Sequence, residues 1–119
     1  MKRRRLVAGA ALAGILAVAA VPAFGASSPK KTIEVIDDAY TPAKATLRKD
    51  TLVTFKWSSA NYETHDVKLV SAPHGVKKFR SPAGATGITF RKRLTKPGLY
   101  KFVCTYHEAL MTLTLRVKH

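Results

Sequence analysis

The chain is 119 residues long, with 21 Lys and Arg against 7 Asp and Glu, a formal charge of +14, and a single cysteine. That length accommodates one domain. One sulfur excludes an intramolecular disulfide framework and any zinc site built from several thiolates, since each needs at least two cysteines.

In chain order, Lys2-Arg3-Arg4-Arg5 leads into the apolar run Leu6 to Val21, which ends in Pro22-Ala23-Phe24-Gly25-Ala26. Residues 1–26 read as a secretory signal peptide cut near Gly25 to Ser27. The basic head, an apolar stretch short for a bilayer span and the small residues at the cut make that pattern. A retained membrane anchor is the competing reading, and Arg4-Arg5 also passes for a weak twin-arginine signal. The remaining domain, residues 27–119, is then periplasmic or extracellular, with 17 basic residues against 7 acidic and a net charge of +10. Such a field steers the protein to acidic partners, or to an anionic membrane or wall surface, and export argues against nucleic acid.

Past the leader the pattern alternates with period two. Thr32 to Ile36 and Ala43 to Lys49 are strand candidates. Thr51 to Ser58 sets Val53, Phe55 and Trp57 on one face, and Gly87 to Leu94 sets Ile88 and Phe90 opposite Thr89, Arg91 and Arg93. Breaks at Asn61, Pro73-His74-Gly75, Pro82-Ala83-Gly84 and Pro97-Gly98 separate the runs. Short alternating strands with such turns predict an all-β Greek-key sandwich of about seven to eight strands.

Three further strands carry candidate chemistry. His65 shares a face with Val67 and Leu69, Cys104 with Tyr100 and Phe102, and Met111 with Leu113, Leu115 and Val117. Because strand side chains alternate faces, all three point inward. His107 lies in the short loop joining two of these strands, so His65, Cys104, His107 and Met111 can converge at one end of the sandwich. A thiolate and two imidazoles with a weak thioether are the donors of an electron-transfer copper site. Taken singly, each has a plain reading: Cys104 as a small buried hydrophobe, Met111 as core, His65 as a hydrogen-bonded core histidine and His107 as a loop residue. Their joint order and parity point to copper.

With those residues set out, the sequence resembles the cupredoxin family, the small type 1 blue copper proteins of plastocyanin, amicyanin and azurin type. The resemblance rests on Tyr40-Thr41-Pro42, on Val53, Phe55 and Trp57, on His65-Asp66-Val67, on Pro97-Gly98-Leu99-Tyr100-Lys101-Phe102-Val103-Cys104, and on His107-Glu108-Ala109-Leu110-Met111. It implies that His65, Cys104 and His107 are equatorial ligands of one copper ion and Met111 the axial one. Three departures stand out: Asp66 where many members have Asn, Tyr106 in place of a Pro, and Leu113 in place of a Gly. An ionised Asp66 can still accept from Thr105, and its charge near the metal lowers the potential.

The resemblance also implies single-electron transfer by a Cu(II)/Cu(I) cycle and no enzymatic activity. An acidic redox protein is expected to dock transiently near His107, beside Ala109 and Leu110, on a monomer. The chief alternative is copper storage, delivery or scavenging without electron shuttling. A multicopper enzyme needs more than four histidines in His-x-His pairs, and a Cys-His hydrolase has no recognisable oxyanion hole here. His74 and His119 have no spaced partner. Tyr100 is expected to pin the Pro97-Gly98 connection through its hydroxyl. Lys77, Lys78, Arg80, Arg91, Lys92 and Arg93 are expected to be solvated.

Overall fold

The computed structural model describes residues 28–119. The signal peptide assigned to residues 1–26 lies outside the described residues. Eight strands form the described chain: β1 (Lys30–Ile36), β2 (Ala39–Thr41), β3 (Lys44–Arg48), β4 (Thr51–Trp57), β5 (Lys68–Ser71), β6 (Thr89–Leu94), β7 (Gly98–Val103) and β8 (Thr112–Lys118). They make two four-stranded sheets, ordered β2-β1-β4-β6 and β3-β8-β7-β5. Each sheet contains one parallel pair, β1 with β4 and β3 with β8, among antiparallel neighbours. The all-β sandwich read from alternation is therefore the fold. Among the described residues no helix is long and apolar enough to cross a membrane.

Alternation decides which face each strand buries. Ile33 and Val35 of β1, then Val53, Phe55 and Trp57 of β4, turn inward from one sheet. Leu69, Tyr100, Phe102, Leu113, Leu115 and Val117 turn inward from the other. Phe55 sits against Phe102 across the two sheets, with ring centroids 5.5 Å apart and tilted by 59°, a favourable edge-on contact. Tyr100 donates its hydroxyl to the Lys96 carbonyl at 2.6 Å, so the expected pinning of the β6–β7 connection is present.

Two local features differ from the alternation pattern. The hairpin β1–β2 turns on Asp37-Asp38, with Asp38 in the left-handed region at φ 62°, a conformation that Asp tolerates better than most residues. Its second strand is three residues long, too short for a period-two signal. The strand expected from His65 begins at Lys68 instead, and His65 forms an isolated bridge with Gly84. The parity survives, since His65, Val67 and Leu69 are all buried.

Candidate metal centre

Cys104 leaves β7 and Met111 enters β8, so the loop between them must reverse the chain in six residues. It does so by two successive turns. The His107 amide donates to the Cys104 carbonyl at 3.1 Å, and the Leu110 and Met111 amides donate to the His107 carbonyl at 3.0 and 2.9 Å. The Cys104 amide closes the loop by donating to the Met111 carbonyl at 3.0 Å. Cys104 and Met111 are fully buried, as is His65, while the His107 side chain is 17% exposed.

Across the sandwich end, Cys104 Sγ lies 3.9 Å from His65 Nδ1. The His65 and His107 rings meet edge-on with centroids 5.1 Å apart. The other nitrogen of His65, Nε2, is 2.8 Å from Asp37 Oδ1, which leaves Nδ1 as the ring atom facing the sulfur. Asp37 is itself oriented by the amides of Tyr62 and Glu63. The Tyr62 amide chiefly, with His65 next, holds the Asp37 carboxyl below the usual carboxylate range. A carboxylate behind an imidazole fixes the tautomer and makes the free nitrogen more basic.

The neighbouring backbone is held just as closely. His65 and Gly84 exchange backbone hydrogen bonds at 3.0 and 3.1 Å, and the Trp57 indole N–H donates to the Gly84 carbonyl at 3.0 Å. The Tyr40 hydroxyl donates to the Asp66 carbonyl at 2.6 Å. Burial of that phenol, beside the Cys104 sulfur and the Asp66 carboxylate, pushes its pKa up.

Asp66 ties the His65 segment to the Cys104 loop. Its Oδ1 accepts from the Thr105 amide at 2.7 Å, and its Oδ2 accepts from the Thr105 hydroxyl at 2.7 Å and from Arg80 Nε at 2.7 Å. Arg80 Nη2 also donates to Thr105 Oγ1 at 3.0 Å. Burial alone would raise the Asp66 pKa, and the two Thr105 donors with Arg80 outweigh it, so the carboxyl sits below its ordinary value. Arg80, expected among the solvated cations, is instead the counter-ion of a buried carboxylate. Sequence order gave no sign of it, because fourteen residues and a loop separate the two.

Burial pushes the Cys104 thiol up, opposed by the amides of Asp66, Tyr106 and His107, while the Asp66 charge adds to the rise. Without a metal the sulfur is therefore held as a thiol among groups that favour the thiolate, and a bound cation would tip that balance. One thiolate, two imidazoles and a thioether in a dry pocket fit copper better than a hard cation, which prefers oxygen donors.

Docking is expected near His107, beside Ala109 and Leu110, and the structure shows what surrounds that edge. Tyr106 and Leu110 are 51% and 76% exposed on the same loop, and Tyr62 beside Asp37 is 93% exposed. Acidic groups stand among them. His107 Nε2 lies 2.9 Å from Glu63 Oε1 and 3.5 Å from Asp38 Oδ1, although neither is aligned to accept its hydrogen bond. Asp37, Asp38, Glu63, Asp66 and Glu108 put five of the seven acidic residues at this end. An acidic partner docking near His107, expected from net charge, would meet like charge there. Arg80, which offsets the buried Asp66, is the cation that its contacts place at this end, so the uncompensated charge there comes from the remaining carboxylates.

The sequence matches the family model of the cupredoxin-like domain over residues 9–116, and the chain belongs to that family. Solved structures share the fold. A pseudoazurin from Sinorhizobium is 23% identical with a TM-score of 0.62, over 76% of this chain and 75% of that one. A purple cupredoxin from Nitrosopumilus maritimus is 20% identical with a TM-score of 0.61, over 73% of this chain and 98% of the other. A copper-containing nitrite reductase from Thermus scotoductus is 24% identical with a TM-score of 0.64, over 85% of this chain and 25% of that chain. Among curated proteins no sequence matches.

Proposed function

We propose that the chain is a small exported carrier of single electrons, without enzymatic activity, that holds one copper ion through His65, Cys104, His107 and Met111. The observation that supports this most is the 3.9 Å approach of Cys104 Sγ to His65 Nδ1, buried at the sandwich end where His107 and Met111 also arrive. When bound, copper supplies a Cu(II)/Cu(I) couple.

The protein's own part is to keep the donors still. Asp37 holds the His65 ring, the Asp66–Thr105 bonds hold the Cys104 loop, and the His107 carbonyl sets the turn that returns Met111 to the core. A donor set that does not rearrange keeps the cost of changing its charge small. Asp66 adds negative charge next to the sulfur and Arg80 offsets it, so the two oppose each other on the potential. Electrons enter and leave along the His107 edge, where Tyr106 and Leu110 allow close approach. The partner suited to that edge carries cations opposite Asp38, Glu63 and Glu108, and the encounter is small and transient. Export rests on the leader at residues 1–26, with residues 27–119 as the periplasmic or extracellular domain.

Voltammetry of the copper-loaded protein tests the assignment. A reversible one-electron wave, absent in Cys104→Ser, is the expected result. Copper bound in stoichiometric amount with no reversible wave would favour copper storage or delivery instead.

A further inference from the structure

The outer face of the second sheet has no part in the electron-carrier reading. Alternation sends six cations outward from it: Lys44 and Arg48 of β3, Lys68 of β5, Lys101 of β7, and Arg116 and Lys118 of β8, all exposed. The register sets them in rows. Lys44 and Lys101 flank Thr114, and Arg48 pairs with Lys118. With strands about 4.8 Å apart, Lys44 and Lys101 are separated by about 10 Å across the sheet.

None of the four strands contains an acidic residue. Among the described residues, none of the six cations has a carboxylate within ion-pair distance. The first sheet differs. Its outer face carries four exposed cations, Lys30, Lys56, Arg91 and Arg93, together with one exposed acidic residue, Glu34, which lies beside Lys56 in the register of β1 and β4. With most of the acidic residues gathered at the His107 end, the charge is polarised: one lateral face is cationic and one end is acidic.

We propose that this face docks the protein on a bilayer bearing anionic phospholipid headgroups. The face is four strands wide and wholly uncompensated, and it exposes no aromatic side chain of the kind that anchors protein–protein interfaces. Its attraction is therefore long-range and directed at an extended anionic surface, and each Lys or Arg near such a surface strengthens partitioning by about fivefold. The loop bearing His107 projects beyond the ends of β7 and β8, so a molecule lying on this face leaves its acidic end free for a partner. The proposal is independent of the copper assignment.

Co-sedimentation of the copper-loaded exported form, residues 27–119, with vesicles tests it, using phosphatidylcholine alone and phosphatidylcholine mixed with phosphatidylglycerol. Binding to the mixed vesicles only is expected, weakening as salt shortens the screening length below about 10 Å. Lys44→Glu/Lys101→Glu/Arg116→Glu, which removes three cations and adds three anions, is expected to cut partitioning by at least about a hundredfold. Lys30→Glu/Lys56→Glu/Arg91→Glu makes the same change in net charge on the first sheet, and should leave partitioning within about fivefold of the parent. Cys104→Ser, which removes the proposed copper ligand, should bind vesicles as the parent does. Equal losses in the two triple variants would overturn the proposal by making the effect one of net charge alone. Failure to bind the mixed vesicles at low salt, or binding to polyglutamate but not to vesicles, would overturn it as well.

Discussion

Arg80→Met probes how the loop after Cys104 is held. Asp66 is fully buried whereas the Arg80 side chain is 52% exposed, so the substitution leaves a buried carboxylate with Thr105 as its remaining side-chain partner. Removing one member of a fully buried ion pair costs about 3–5 kcal/mol, and an exposed pair is worth about 0–1 kcal/mol. The half-exposed guanidinium places this pair between those limits, at about 2 kcal/mol. For a domain of this size that lowers Tm by about 8–16 °C. Thermal unfolding of the metal-free protein, run for Arg80→Met, Asp66→Asn and the double variant, separates the pair from its surroundings. Asp66→Asn keeps an oxygen for the Thr105 amide and removes the charge, so the double variant should be markedly less destabilised than the two single losses added together. A loss below about 0.5 kcal/mol for Arg80→Met, or simple additivity, would refute the reasoning. In the copper-loaded protein the same substitution leaves Asp66 uncompensated beside the sulfur, and the reduction potential should fall.

Acid should act through the same carboxylate. Because the folded pKa of Asp66 is lowered, its contribution to stability is fully present above the ordinary value of about 3.9 and is lost as pH falls through the lower folded value. Asp66→Asn should flatten that limb of the stability profile in acid titrations followed by circular dichroism. Asp37→Asn removes the charge behind His65 and should weaken copper binding by about 10–100-fold in competition titrations, with Tm of the metal-free protein changed far less. Tyr100→Phe deletes the hydroxyl that reaches the Lys96 carbonyl and should cost about 1 kcal/mol in denaturant unfolding. Gly98 has φ 138°, and a Cβ there would stand 2.5 Å from Pro73 Cγ. Gly98→Ala should therefore lose about 1–3 kcal/mol from backbone strain, plus the cost of moving Pro73.

Much of this architecture is visible in the order of residues because strand alternation is a local rule. Val53, Phe55 and Trp57, or Leu113, Leu115 and Val117, announce their buried face within a few positions. The same parity set His65, Cys104 and Met111 inward, even though the strand near His65 begins three residues later than expected. What the sequence withheld depends on pairs that are distant along the chain. Asp37 meets His65 across 28 residues, Tyr40 meets Asp66 across 26, and Arg80 meets Asp66 across 14. No periodicity encodes such contacts; they follow from which strands the topology makes neighbours. Net charge misled about the His107 end for a related reason. It sums over the surface, whereas docking responds to the local arrangement, and here the sum hides an acidic end beside a cationic face.

The most direct test of the account is a Cu(II) titration of the purified chain followed by visible absorption and electron paramagnetic resonance, with Cys104→Ser alongside. Binding of one equivalent, with an intense thiolate-to-copper band and small copper hyperfine splitting that both vanish in the variant, is the predicted result. No binding, or a signal unchanged by Cys104→Ser, would contradict the assignment and leave the four side chains as core packing.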